Sequence, residues 1–314
     1  MCAELKSILF AYDTMGSLMR EIFIDAAGQL RAGWRLLFWL LIAIGIQVLI
    51  GIVAQRLQLA NEGAFLDPKR LILGDWVATF IPVIIATLVM MRIERRTLGD
   101  YYIPVRGLLE KGFWVGVLWG IAAASLLMGL IALAGGYRIA GVELHEHVTY
   151  WVLMWLAAAV SIGIVEEVAF RGYMLRTLGD GIGFWPAAWV LAFLFGALHY
   201  FAKPHERWED FASTGLLALF LSLTVARTTS LAWAMGWHFG FDWGAIWLWS
   251  GRNAGEYAPG RLFETAWPAS DRVTGGLLGP EASWFIFIVI AVLFAGFHFM
   301  YPPKPVPTRS VQSP

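Results

Sequence analysis

Glu166 and Glu167 stand side by side at the end of a run, Trp151 to Val165, that holds no charged residue. A charged side chain at mid-bilayer costs roughly 2.5–3.5 kcal/mol, so two adjacent carboxylates closing such a run call for a purpose. On a helix Glu167 and Arg171 lie four apart on one face and can form an ion pair. Glu166 is rotated about 100° from its neighbour and has no such local partner, which leaves one spare carboxylate. Two further apolar stretches carry imidazoles. His199 follows Phe195 by four residues, and His238 precedes Asp242 by four, a spacing that lets His238 and Asp242 hydrogen-bond on one helix face. Carboxylates and imidazoles give and take protons near neutral pH, so these stretches bring acid and base groups into an otherwise apolar chain. Taken singly, each has a structural reading: an ion pair orienting a helix end, an interfacial histidine, a satisfied buried polar pair. Taken together, they load three separate apolar segments with acid or imidazole, and a shared site explains that better.

The elements that must position these groups are membrane helices. The chain has 314 residues, 59% of them hydrophobic and only 15% charged, with 17 Trp and a mean hydropathy of +0.64. Soluble domains carry about 25% charge. Formal charge is zero, so nothing points to nucleic acid, and the single cysteine, Cys2, excludes an internal disulfide. The fold class expected is all-α, a polytopic membrane protein of about eight transmembrane helices enclosing a polar cavity. Spanning candidates run from about Leu36 to Ala54, Trp76 to Met91, Phe113 to Ala134, Thr149 to Phe170, Phe184 to Phe201, Phe211 to Ala226, Leu231 to Ser250 and Trp284 to Tyr301. Residues 1–33 lack the plan of a signal peptide and read as an amphipathic segment at the membrane surface. Residues 34–302 form the transmembrane domain, with the motif core at 150–245, and 303–314 are a Pro-rich disordered tail. The loop from Gly251 to Ala282 reads as irregular, with no assignable chemistry.

Lys and Arg outside the spans set the orientation. Fourteen lie on the side of the N-terminus (Lys6, Arg20, Arg31, Arg35, Arg92, Arg95, Arg96, Arg106, Lys111, Arg171, Arg176, Arg227, Lys304 and Arg309). Nine lie opposite (Arg56, Lys69, Arg70, Arg138, Lys203, Arg207, Arg252, Arg261 and Arg272). Both termini are therefore expected in the cytoplasm, with the protein integral to a bacterial cell membrane. The small residues Gly196, Ala197, Gly236, Gly240 and Gly244 are expected to let helices approach closely around the site. Asp75 reads as a helix cap, His205 as a solvated loop residue, His298 as interfacial, and His145 and His147 as a polar loop.

Glu166-Glu167-x-x-x-Arg171, Phe195-x-x-x-His199 and His238-x-x-x-Asp242, in that order on separate apolar helices, resemble the CPBP intramembrane proteases, the group of the CAAX prenyl endopeptidases and the bacterial Abi-type proteins. The turn Arg227-Thr228-Thr229-Ser230-Leu231 is similar too, although Thr229 stands where the family often has Gly. The resemblance covers about a third of the chain. It implies a cavity opening toward the cytoplasm or the lipid, with Glu166 as catalytic glutamate, His199 helping to activate water and His238 stabilising the oxyanion. Asp242 falls where the family has Asn or Asp, and Glu167 and Arg171 match the supporting part of the first motif. An ionised Asp242 would repel an oxyanion, so its expected part is to accept from His238 and keep it cationic.

The function implied is an intramembrane endopeptidase acting on a membrane-associated peptide or a lipidated, CAAX-type protein in contact with membrane lipid. A metal-free glutamate mechanism without cofactor is favoured; zinc on Glu166, His199 and His238 is the alternative. A proton-coupled transporter and a non-catalytic membrane immunity protein are the competing classes.

Overall fold

The computed structural model describes residues 21–25, 28–57, 64–104, 107, 109–143, 145–203, 205 and 207–303. Most of the amphipathic segment expected over 1–33, and the tail beyond residue 303, lie outside them. The described chain is an all-α polytopic bundle. Six helices are long and apolar enough to cross a membrane: α1 (Ala32–Arg56), α2 (Pro68–Glu94), α3 (Lys111–Leu133), α4 (Val148–Ile182), α5 (Phe184–Ala202) and α6 (Trp208–Thr228). Two of the eight expected spans are shorter. They are α7, Ala232–Asp242 continued by the π-helical turns Trp243–Leu248, and α9, Phe285–Met300.

Local sequence sets the helix ends. Asp67 accepts from the Lys69 N–H at 2.9 Å with Pro68 at the first helical position, so Asp67, not Asp75, caps α2. Asp75 sits inside α2, in a π-helical stretch, Gly74–Phe80. Helix α4 does not stop at the two glutamates. It continues through a π-helical stretch, Val168–Met174, with a kink at Gly172 (φ −77°, ψ −109°). The carboxylates thus stand in mid-helix, at the kind of helix irregularity that functional sites often occupy.

The core of the bundle is a glycine seam between α3 and α7. A Cβ on Gly116 would fall 2.3 Å from the Trp233 carbonyl oxygen, and one on Gly120 would fall 2.2 Å from that of Trp237. Reciprocally, Gly236 would meet the Phe113 oxygen at 2.0 Å and Gly240 the Val117 oxygen at 2.3 Å. Two GxxxG pairs interlock so that the backbones touch, the packing that membrane helices use when apolar burial drives no association. Gly236 and Gly240 therefore turn toward α3 rather than flanking the imidazole, as the sequence led us to expect. Gly163 of α4 faces α7 beside His238, where a Cβ would meet the Met235 oxygen and the Phe239 nitrogen at 2.9 Å each.

Loops at the two ends of the bundle are tied by separate contacts. At one end the α3–α4 loop carries β1 (Arg138–Val142), which pairs antiparallel with β4 (Phe263–Ala266) of the segment after α7. That segment also contains the short pair β2 (Arg252–Asn253) and β3 (Glu256–Tyr257) and the single turn α8 (Asp271–Thr274). Glu256 accepts from the Phe65 and Leu66 N–H groups at 3.0 and 2.8 Å, and Lys203 reaches Glu281 at 3.3 Å. The loops after α1, α3, α5 and α7 therefore form one cap. At the opposite end Arg35 at the start of α1 binds Glu94 of α2 at 2.7 Å and Asp180 of α4 at 3.2 Å. The Leu231 N–H donates to the Tyr102 carbonyl at 2.9 Å at that same end.

Candidate active site

Beneath the cap lies a cavity of about 170 Å³. Its wall carries Glu166 from α4, His199 from α5, and His238 and Asp242 from α7. The four residues singled out by the sequence thus share one space, with Glu167 and Arg171 packed behind it.

Glu167 is fully buried and holds two partners through one oxygen. Its Oε1 accepts from Arg171 Nη1 at 3.0 Å and from His238 Nδ1 at 3.0 Å. The i,i+4 ion pair is as expected, and the histidine bond is the part that no local spacing reveals, since 71 residues separate the two. With Nδ1 bound to a carboxylate, His238 turns Nε2 to the cavity. That nitrogen sits 3.7 Å from Glu166 Oε2 and 3.6 Å from Asp242 Oδ2. The expected His238–Asp242 hydrogen bond is therefore not made; the distance is that of a loose ion pair. Glu167 takes that part because α4 and α7 meet at Gly163.

Glu166 Oε2 is buried without a hydrogen-bond partner among the described residues, and so is Asp75 Oδ2 across the cavity. Buried polar atoms are nearly always satisfied, so an unpartnered carboxylate oxygen on a cavity wall is what a water or substrate group would meet. His199 is oriented from its own helix: Nδ1–H donates to the Phe195 carbonyl at 2.9 Å, which leaves Nε2 as the free, lone-pair nitrogen. The Phe195 ring packs on the His199 ring at 4.3 Å between centroids and lies under the Arg171 guanidinium at 4.7 Å. Phe195 thereby joins the first motif to the second.

Four lining residues carried no usable sequence signal. Lys203 ends α5 and pairs with Asp210 at 3.1 Å and with Glu281 at 3.3 Å. Burial pushes the Glu281 carboxyl up, but the Lys203 ammonium outweighs it and holds the acid below its ordinary range. Burial likewise lowers the Lys203 ammonium, and its two carboxylate partners more than reverse this. Glu281 and Asn253 come from the loop assigned no chemistry, and Asp75 from the supposed cap. His145, His147, His205 and His298 are exposed and away from the cavity.

Among the described residues no group of three His, Cys, Asp or Glu side chains is arranged to hold a metal ion. Glu166, His199 and His238 therefore line one space without forming a ligand cluster.

No curated protein matches the chain. Residues 148–244 match the family described as type II CAAX prenyl endopeptidase Rce1-like. The matched segment runs from the first residue of α4 to two beyond Asp242, and so contains all three motifs. Residues 148–244 of this polytopic membrane protein are thus similar to the type II CAAX prenyl endopeptidases.

Proposed function

We propose that the protein is an intramembrane endopeptidase that hydrolyses a peptide bond of a membrane-associated substrate with water activated by Glu166. The observation that carries this reading is the free Glu166 oxygen 3.7 Å from a histidine nitrogen whose other face is locked by a buried carboxylate. At that separation the two groups do not hydrogen-bond each other, and both can reach one oxygen atom seated beside them in the cavity.

In the first step a water donates to Glu166 while the lone pair on His199 Nε2 orients it. The water oxygen attacks the scissile carbonyl, and Glu166 takes the proton. The new oxyanion faces His238 Nε2–H. Glu167 favours the doubly protonated imidazole by accepting from Nδ1, so Nε2 can donate. Asp242, 3.6 Å from the same nitrogen, adds negative charge that keeps the ring cationic without hydrogen-bonding it. Glu166 then returns its proton to the leaving amine. Every group needed is a side chain of this protein, and the substrate is a lipid-associated peptide, of which a prenylated CAAX tail is one form.

The test uses purified protein and a membrane-anchored peptide library, with release read by mass spectrometry. Glu166→Gln is expected to lower cleavage by about 10²–10⁴-fold with unchanged thermal unfolding. Full activity in that variant removes Glu166 from the mechanism. Cleavage by the native protein is expected to survive a strong chelator, and loss that zinc restores would replace this mechanism with a metal one.

A further inference from the structure

The cavity belongs to one end of the bundle. The extramembrane residues on its wall are Phe65 and Leu66 of the α1–α2 loop, Lys203 after α5, and Asn253 and Glu281 of the segment after α7. All come from the capped end. Among the described residues, the loops of the other end, 95–110, 183 and 229–231, contribute none to it. Depth along the helices agrees. Asp75 lies seven residues into α2 from the capped end, and Thr214 six residues into α6, roughly 10 Å at about 1.5 Å per residue. His199 is three residues from the end of α5 that meets the cap. Glu166 is the deepest of the acids, near the middle of α4.

The end away from the cavity is where α1 begins and α9 finishes. It holds the basic cluster Arg92, Arg95 and Arg96 as well as Arg35 and Arg176. By the rule that Lys and Arg concentrate on the cytoplasmic side, this is the cytoplasmic end. The extramembrane residues on the cavity wall and the basic end are thus opposite, so of the two expected openings, to the cytoplasm or to the lipid, the cytoplasmic one does not go with cytoplasmic termini.

We infer that the active site is entered from the non-cytoplasmic face, so that its substrate is a peptide or membrane-protein segment presented there rather than a cytoplasmic lipidated tail. This rests on the protease reading above and narrows its substrate class. At that face the cavity wall is held by the Phe65–Leu66 backbone clipped to Glu256 and by Glu281 clipped to Lys203.

Two measurements on the full-length protein in its membrane test this. In a Cys2→Ser background, Ser270→Cys reports the capped end and Gly99→Cys the basic end; both positions are exposed. A membrane-impermeant maleimide is expected to label Ser270→Cys in intact cells, and Gly99→Cys only after permeabilisation. The reverse pattern overturns the inference. In the second measurement the peptide library is displayed on a single-pass anchor in either orientation. In detergent both displays are expected to be cut, and Glu166→Gln to cut neither. In sealed membranes only the display on the non-cytoplasmic face is expected to be cut. Cutting of the cytoplasmic display instead overturns the inference and leaves the protease standing. Failure of the native protein to cut either display in detergent removes the protease reading and this inference with it.

Discussion

Arg171 is 2% exposed and its visible partners are Glu167 and the faces of two phenylalanines. A charge in that position matters through what its loss leaves behind. Arg171→Ala strands the Glu167 carboxylate in a dry site, and removing one member of a buried pair costs about 3–5 kcal/mol. Thermal unfolding in detergent should fall accordingly. The double variant Arg171→Met, Glu167→Gln should recover most of the lost stability, since a neutral isosteric pair has no charge to desolvate. It should not recover cleavage, because the amide holds His238 less tightly in its cationic form. Unfolding temperature and turnover thus separate, and rescue of both would mean that Glu167 acts only as a structural counterion. Phe195 makes the complementary case. Phe195→Leu keeps the carbonyl that fixes His199 Nδ1 but removes the ring between His199 and Arg171, so turnover should drop while Glu166 and His238 stay in place. The spacing of Phe195 and His199 was legible in the sequence. The reason for it, a carbonyl tether and a stacked ring, was not, because only the fold brings Arg171 over that ring.

At the scale of helices, the catalytic geometry depends on how closely α7 lies against α3 and α4. His238 and Asp242 ride on α7, and both sides of that helix meet backbone at Gly236, Gly240 and Gly163. Gly240→Ala would place a methyl group 2.3 Å from a carbonyl oxygen that no rotamer change can move aside. Overpacking of this kind costs typically about 1–3 kcal/mol, and the helix must shift to relieve it. We expect a lower unfolding temperature together with a disproportionate loss of turnover. Gly129→Ala is the control: a Cβ there meets nothing within 4 Å, and alanine is the better helix former, so stability should hold or rise slightly. Equal effects from the two substitutions would mean that the seam does not set the site. The hydrophobic runs announced the helices well, including those bearing the motifs, because long apolar stretches leave little choice in a bilayer. Their continuity was harder to read. Glu166 and Glu167 looked like the end of a helix that in fact runs on to Ile182, since a charge pair that ends an apolar run leaves the same trace as one spanned by a π-helical stretch.

For the whole molecule, the cap ties four separate loops together, three of them lining the site, and its electrostatic clasp is Lys203 with Asp210 and Glu281. No reading of the sequence could join residues 203, 210 and 281, because each alone is an ordinary loop or helix-end charge and the contact exists only once α5, α6 and the segment before α9 converge. Even so, the clasp has a measurable signature. The Glu281 carboxyl is held below its usual value of 4.5 when folded. The unfolded chain therefore binds a proton more readily than the folded one, and the clasp's contribution is complete above that value and lost as the pH falls through the lower folded pKa. Hydrogen exchange of the cap amides over residues 252–266, corrected for intrinsic rates, should therefore quicken on acidification below about pH 4.5, while the amides of the α3–α7 seam stay protected. Lys203→Gln leaves two buried carboxylates without their cation, so protonation then relieves repulsion instead of breaking a pair. In that variant the cap should be loose at neutral pH and tighten as the pH falls, the opposite sign to the native protein. An acid response of unchanged sign in Lys203→Gln would show that the cap is held by its β1–β4 pairing and the Glu256 clip alone, with the buried charges serving the cavity rather than its roof.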